Sequence, residues 1–417
     1  MDKLIIEGGA RLQGEVRVDG AKNAALPAMA ASLLTDEPVY LRNVPAVVDI
    51  RTMGRLLDHL GVSVSGSREN LALQASALRC CEAPYDLVRT MRASILVLGP
   101  LIGREGYAKV SFPGGCAIGA RPVNLHLMGL EAMGVALELR GGYIQGRAKR
   151  LRGARIYLDI PSVTGTENLM MAAALARGET TIENAAREPE VVDLALMLNK
   201  MGANILGAGT PRIVVQGTQR LKGVEHEIIG DRIVAGTFAA ASAITRGDVL
   251  IRGAPAAHLE SVLQKMTQAG ACVEASAEGI RVSASERLKS VDIQTSPYPG
   301  FPTDLQAQFM AMMCVAGGVS TIRETVFENR FMHVAELRRM GADILVEGPT
   351  AIVRGVDHLE GAPVMATDLR ASASLVLAGL AARGTTVVSR VYHLDRGYAS
   401  LESKLGSLGA RIRRERG

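Results

Sequence analysis

Charged side chains recur at one kind of place in this chain, the point where an extended segment gives way to a run of small residues that reads as a helix. These places hold Lys22-Asn23, Arg92, Asp231-Arg232, Asp304 and Arg370, and two of them share a tripeptide, Arg92-Ala93-Ser94 and Arg370-Ala371-Ser372. A helix start offers unpaired N–H groups and positive potential, so Lys or Arg added there builds a site for an anion. Local capping or pairing would account for any one of them. Four basic residues at equivalent places weigh against that explanation. Asp304 reads differently, because a carboxylate at a helix start is most simply an N-cap. A second group is the stretch 111–122 (SFPGGCAIGARP), whose three glycines and two prolines specify an exposed loop. Cys116 in such a loop is no core residue, and Arg121 holds it in positive potential, where thiols become reactive.

The elements that carry these residues repeat. A tripeptide of Leu, Met or Ala, then Gly, then Val or Ala, is centred on Gly61, Gly134, Gly202, Gly270, Gly341 and Gly409, at spacings of 73, 68, 68, 71 and 68 residues. Each follows a helical pattern and precedes a short strand, so the glycine is placed where a helix C-cap needs positive φ. A Leu-x-Gly marker keeps the same period at Leu12, Leu151, Leu221 and Leu359, with Leu288-Lys289-Ser290 as a variant. After it come a strand and a helix of small residues, such as Ala24 to Leu34 or Ala371 to Ala382, ending at Gly178, Gly247, Gly318 or Gly384. One unit therefore reads βαβαββ. Six units make two domains of three rather than a solenoid, because the terminal units are not polar caps. The division is expected near residues 228–231, and the opening strand, about residues 1–20, need not stay with the first half.

Composition narrows the function. At 417 residues the chain exceeds the usual size of one hydrophobic core. No apolar run approaches the roughly 18 residues of a membrane span, and the N-terminus lacks a signal-peptide pattern, so a cytoplasmic protein is expected. Five cysteines, with only Cys80 and Cys81 adjacent, make no disulfide framework, and no CxxC, HxH or HExxH spacing suggests a metal. A net charge of +5 with 3% aromatic residues suits acidic small ligands better than nucleic acid.

The segments 20–27 (GAKNAALP), 113–123 (PGGCAIGARPV), 301–308 (FPTDLQAQ), 327–333 (FENRFMH) and 366–374 (ATDLRASAS) resemble the enolpyruvyl transferases, and within them those acting on UDP-N-acetylglucosamine. The resemblance runs in register from Lys3 to the C-terminus. It implies a two-domain inside-out α/β barrel: residues 22–229 form the first domain, with the Cys116 loop, and residues 1–21 plus 230–417 the second. The active site would lie in the cleft between them. It also implies transfer of the enolpyruvyl group of phosphoenolpyruvate to the 3-hydroxyl of the UDP-sugar, which opens peptidoglycan synthesis, without metal or organic cofactor and without an obligatory protein partner.

By the same resemblance, Lys22, Arg121 and Arg396 (in 393–398, HLDRGY) would hold the phosphate of phosphoenolpyruvate. Arg330 and Arg370 would hold its carboxylate, with Asn23 bridging towards the sugar. Arg92, Arg121, Pro122, Val123, Asn124, Leu125, Ser162, Val163, Asp304 and Val326 would bind the UDP-sugar. Cys116 is the matched general acid and Asp304 the matched base, and each such proton transfer is worth typically about 10²–10⁴-fold. Asn124 departs from the Asp of many relatives, and the 160–164 segment (IPSVT) departs enough that no side-chain role passes to Ile160. Two other readings remain: an enolpyruvylshikimate-phosphate synthase, against which the Cys116 loop argues, and a repeat protein that binds RNA phosphates, against which the low aromatic content argues.

Overall fold

The computed structural model describes residues 2–113 and 123–417, so Cys116, Arg121 and Pro122 lie outside the described residues. The chain divides into two compact units. The first unit holds the described residues of 20–229, and the second those of 1–19 together with 230–417. Each contains three four-stranded sheets of one pattern, a parallel pair extended by two antiparallel strands. In the first unit, for example, Arg155–Tyr157 pairs in parallel with Glu179–Glu183, which pairs antiparallel with Arg212–Gln216, and that strand with Asn204–Leu206. Strands such as Val319–Arg323 alternate buried and exposed residues, so their sheets pack one face inward.

Both units close by borrowing strands. In the first, Val224–Glu227 runs parallel to Val39–Arg42 and supplies the opening strand of the first repeat from the end of the third. In the second, Gln13–Arg17 runs parallel to Asp248–Arg252, while Lys3–Glu7 lies antiparallel between Thr385–Ser389 and Arg411–Glu415. The Leu12-Gln13-Gly14 marker thus heads the fourth repeat in space, although it precedes the first helix in sequence. Periodicity along a chain identifies a strand, but only pairing assigns its sheet.

The small-residue helices lie inside. Arg232–Ile244, Gln306–Cys314 and Leu369–Ala381 pack against one another in the second unit, and every residue of the first two is buried. A helix apolar all round is a buried helix. Close packing needs small side chains: a Cβ on Gly99, in Leu98–Glu105 of the first unit, would lie 2.4 Å from the Asn168 carbonyl oxygen of the neighbouring helix Val163–Ala174. Outer helices such as Val48–Leu60 bury one face and end at the repeating glycines, here Gly61. All six glycines have positive φ, from 90° at Gly134 to 106° at Gly61. At the Gly247 position the left-handed residue is instead Arg246, with φ of 54°. Gly247 is needed for space, since its Cβ would lie 2.2 Å from the Leu12 carbonyl oxygen. Each unit is an inside-out α/β barrel. Among the described residues no helix is long and apolar enough to cross a membrane.

Candidate active site

The starts of the six inner helices carry the residues singled out above. Lys22 opens Lys22–Ala31, and Arg92 opens the 3₁₀ turn Arg92–Val97 that runs into Leu98–Glu105. Three helices have side-chain caps: Ser162 accepts from the Gly165 N–H, Asp231 from Ile233 and Val234, and Asp368 from Arg370 and Ala371. Asp304 does otherwise. It sits in the turn Thr303–Leu305, whose N-cap is Pro302, and the helix that follows, Gln306–Cys314, is preceded by Leu305 with no side-chain cap. The capping expectation for Asp304 is therefore corrected, because two arginines take the oxygens that a cap would use.

Arg330 Nη2 donates to Asp304 Oδ1 at 2.9 Å, and Arg370 donates to Oδ2 from Nε at 3.1 Å and from Nη2 at 2.8 Å. Both guanidinia are 4% exposed as residues, whereas the Asp304 side chain is 26% exposed. Burial opposes the charge on Arg370, but Asp304, Tyr398 and Asp231 more than offset it and hold its pKa above the ordinary arginine value. Arg330 also lies over the Phe327 ring at 5.3 Å. Its other terminal nitrogen, Nη1, is buried and has no hydrogen-bond partner among the described residues. Two cations on one carboxylate, with a donor left over, form a site of net positive charge for an anion.

A buried network holds this cluster in place. Arg370 Nη1 donates to the Tyr398 hydroxyl at 3.3 Å, as does Gln308 Nε2 at 3.2 Å. The Thr237 hydroxyl donates to the Ile233 carbonyl, so the Tyr398 hydroxyl donates its own proton to Thr237 Oγ1 at 2.9 Å. Gln308 Nε2 also reaches the Asp304 carbonyl at 3.0 Å. Buried Glu324 ties the flanking loops together: Oε2 accepts from Thr303, and Oε1 from Thr295 and from the Val326 and Phe327 N–H groups. Exposed Val326 is held by this staple. Half-buried Arg396 ends the turn Val391–Arg396, two residues before Tyr398.

The first unit holds the other candidates. Lys22 Nζ donates to Asp49 Oδ2 at 2.9 Å in a buried ion pair, and Asn23 beside it is exposed. Buried Val123 and Leu125 and exposed Asn124 begin the helix Asn124–Ala132, which packs on Val163–Ala174 behind Ser162 and Val163. Between them stands His126. Asn168 Oδ1 accepts from the Gly99 N–H at 2.7 Å, which turns Nδ2 towards His126 Nδ1 at 2.9 Å and leaves the imidazole proton on Nε2, facing Thr164. Burial, assisted by the charge of Arg92, pulls the His126 pKa down to about 4.

The sequence reading did not single out Tyr398, Gln308, Thr237, Glu324 or Asp49. Asp49 lies 27 residues from Lys22 and Glu324 is 29 from Thr295, so no local spacing announces either pair.

A profile of the EPSP synthase (3-phosphoshikimate 1-carboxyvinyltransferase) family matches residues 6–405. The chain belongs to that family of carboxyvinyl transferases. Within it, the chain is 58% identical over 414 residues to a UDP-N-acetylglucosamine 1-carboxyvinyltransferase of Desulfatibacillum aliphaticivorans, covering 99% of this chain and 100% of that protein. Of solved structures, the enolpyruvyl transferase NikO from Streptomyces tendae is 28% identical with a TM-score of 0.89, covering 99% of this chain and 98% of that one. An EPSP synthase from Acinetobacter baumannii covers 100% of both chains with a TM-score of 0.77, but at 18% identity it shares the fold alone.

Proposed function

We propose that this chain transfers the enolpyruvyl group of phosphoenolpyruvate to the 3-hydroxyl of UDP-N-acetylglucosamine, releasing inorganic phosphate. The observation that carries the reading is 58% identity, along nearly the whole chain, to a transferase of that name. The sugar 3-oxygen bonds to C2 of phosphoenolpyruvate while a proton is added to its C3. The C2–O bond to phosphate then breaks as a proton leaves C3, which restores the double bond. One proton is taken from the hydroxyl and one given to carbon, so an acid and a base are both required.

We assign Cys116 as the acid and Asp304 as the base. Lys22, Arg121 and Arg396 hold the phosphate, Arg330 and Arg370 the carboxylate, and Asn23 bridges to the sugar. Arg92, Arg121, Pro122, Val123, Asn124, Leu125, Ser162, Val163, Asp304 and Val326 take the UDP-sugar. The cluster of Arg330, Arg370 and Asp304 supports the carboxylate assignment, because its donors form the fork that suits a carboxylate. The reaction is placed in the cytoplasm, since both substrates are multiply charged and do not cross a bilayer unaided.

Phosphate release from phosphoenolpyruvate tests the reading. It should depend on UDP-N-acetylglucosamine and not on shikimate 3-phosphate, and the reverse dependence would overturn it. Cys116→Ala should lose at least about 10²-fold in turnover, whereas Cys116→Asp should keep activity with a more acidic optimum, because a carboxylic acid donates the same proton. Parental turnover in Cys116→Ala would remove the thiol from the mechanism.

A further inference from the structure

We infer that Asp304 is a built-in counter-ion occupying the carboxylate site, which the carboxylate of phosphoenolpyruvate must displace before Asp304 can act as a base. The inference rests on the assignment of Arg330 and Arg370 to that carboxylate.

Three observations lead to it. First, Asp304 is bound as a carboxylate ligand would be, with one oxygen on two nitrogens of Arg370 and the other on Arg330. Second, it is the exposed member of the cluster: its side chain is 26% exposed, against 3% and 5% for those of Arg330 and Arg370. The Tyr398–Thr237–Gln308 network and the Phe327 ring fix the arginines, while the side chain between them reaches the surface. Third, Arg330 Nη1 is buried without a hydrogen-bond partner among the described residues, so this carboxylate leaves a desolvated donor unmet. A buried unmet donor is costly, and a second acceptor at this place removes that cost.

The chemistry requires an exchange. A carboxylate held by two guanidinia is stabilised in its charged form and is a poor proton acceptor. Asp304 cannot take the proton of the sugar hydroxyl while both guanidinia hold its oxygens. An incoming carboxylate brings the same charge, takes over both guanidinia with Nη1 of Arg330 included, and leaves Asp304 released from them. The base is thus armed only when the co-substrate is in place, and part of the intrinsic affinity of the arginine pair is spent on displacing Asp304.

The test has an unusual sign, since removing a site residue should tighten binding. Titration calorimetry compares the parent with Asp304→Asn and with Asp304→Ser, using phosphoglycolate, which carries phosphate and carboxylate but no enol and cannot react. Glycerol 3-phosphate, which lacks the carboxylate, is the control. Phosphoglycolate should bind both variants about tenfold or more tightly than the parent, the low end of what close charge pairs contribute. The affinity for glycerol 3-phosphate should stay within about twofold. Equal or weaker binding of phosphoglycolate to the variants, equal tightening of both ligands, or no binding of phosphoglycolate to any of the proteins would overturn the exchange. If UDP-N-acetylglucosamine still drives phosphate release in the parent, those results sink the exchange and spare the transferase reading. If it does not, the reading itself fails.

Discussion

The two units place polar side chains at similar depths in their inner helices and use them differently. In the first unit Asn168 crosses from Val163–Ala174 to the Gly99 N–H, the Ile95 carbonyl and neutral His126. In the second, Thr237 of Arg232–Ile244 and Gln308 of Gln306–Cys314 meet at the Tyr398 hydroxyl, which receives Arg370 and through it Asp304. Asn168 and Thr237 each lie six residues after the capping residue of their helix, Ser162 and Asp231. One network joins helices and ends in uncharged groups; the other ends in ionised groups with an orphan donor. The repeat thus offers a polar position in a buried helix, and the partner decides whether it serves as glue or as a support for charge.

The largest effect expected of this difference appears on exchanging one residue from each network. Arg370→Ala removes a desolvated charge from Asp304 and should lower kcat/KM for phosphoenolpyruvate by at least about 10²-fold, as truncation of one partner of a buried charge pair does. Asn168→Leu leaves the Gly99 N–H unmet, which costs about 1–3 kcal/mol, or roughly 2–12 °C in Tm at about 2–4 °C per kcal/mol for a unit of this size. Its turnover per folded molecule should stay within about twofold of the parent at 20 °C. Calorimetric melting and steady-state rates on both variants would break the comparison if Asn168→Leu lost rate as Arg370→Ala does.

Much of this was legible in the chain. The six glycines, the small-residue helices and the charges at their starts follow from periodicity and from the physics of helix termini, so the repeat and the positions of Lys22, Arg92 and Arg370 could be read locally. Pairing over distance could not. Nothing in the sequence joins Asp49 to Lys22 or Tyr398 to Thr237, 161 residues apart, and the opening strands find their sheets only in three dimensions. Asp304 shows the limit most clearly. Its position at a helix start suggests a cap, and only Arg330 and Arg370, 26 and 66 residues away, reveal that its oxygens are used elsewhere.

A smaller effect concerns acid. His126 is pulled to about 4 by burial and Arg92, and burial likewise brings His333 to about 4, with Asp368 resisting and Arg330 assisting. In the unfolded chain both titrate near 6.5. Between those values the unfolded state binds more protons, so stability is full above pH 6.5 and falls as pH drops towards 4. His126→Gln should remove about 1 kcal/mol of the loss between pH 6.5 and 5.5, since one pH unit on one group corresponds to about 1.4 kcal/mol. Urea midpoints across that range measure it. An unaltered slope would mean that the ring is already charged in the folded first unit and that its network is not a neutral one.

The smallest effect should come from Tyr398→Phe, which keeps the ring beneath Arg370 and removes only the hydroxyl. Arg370 Nη1 and Gln308 Nε2 lose an acceptor, but Gln308 still has the Asp304 carbonyl at 3.0 Å and Thr237 Oγ1 at 3.2 Å. Arg370 still has two bonds to Asp304. The fork survives with one support fewer, so its orientation loosens while its charge stays. If Tyr398 acts by orienting Arg370, KM for phosphoenolpyruvate should rise about three- to fivefold, the size of one net hydrogen bond, while KM for the UDP-sugar stays near the parental value. A residue that only packs the core would lower Tm and leave both KM values alone. Phosphoenolpyruvate and UDP-sugar saturation curves for this variant therefore decide whether the polar network of the second unit supports charge or, like that around Asn168, simply joins helices.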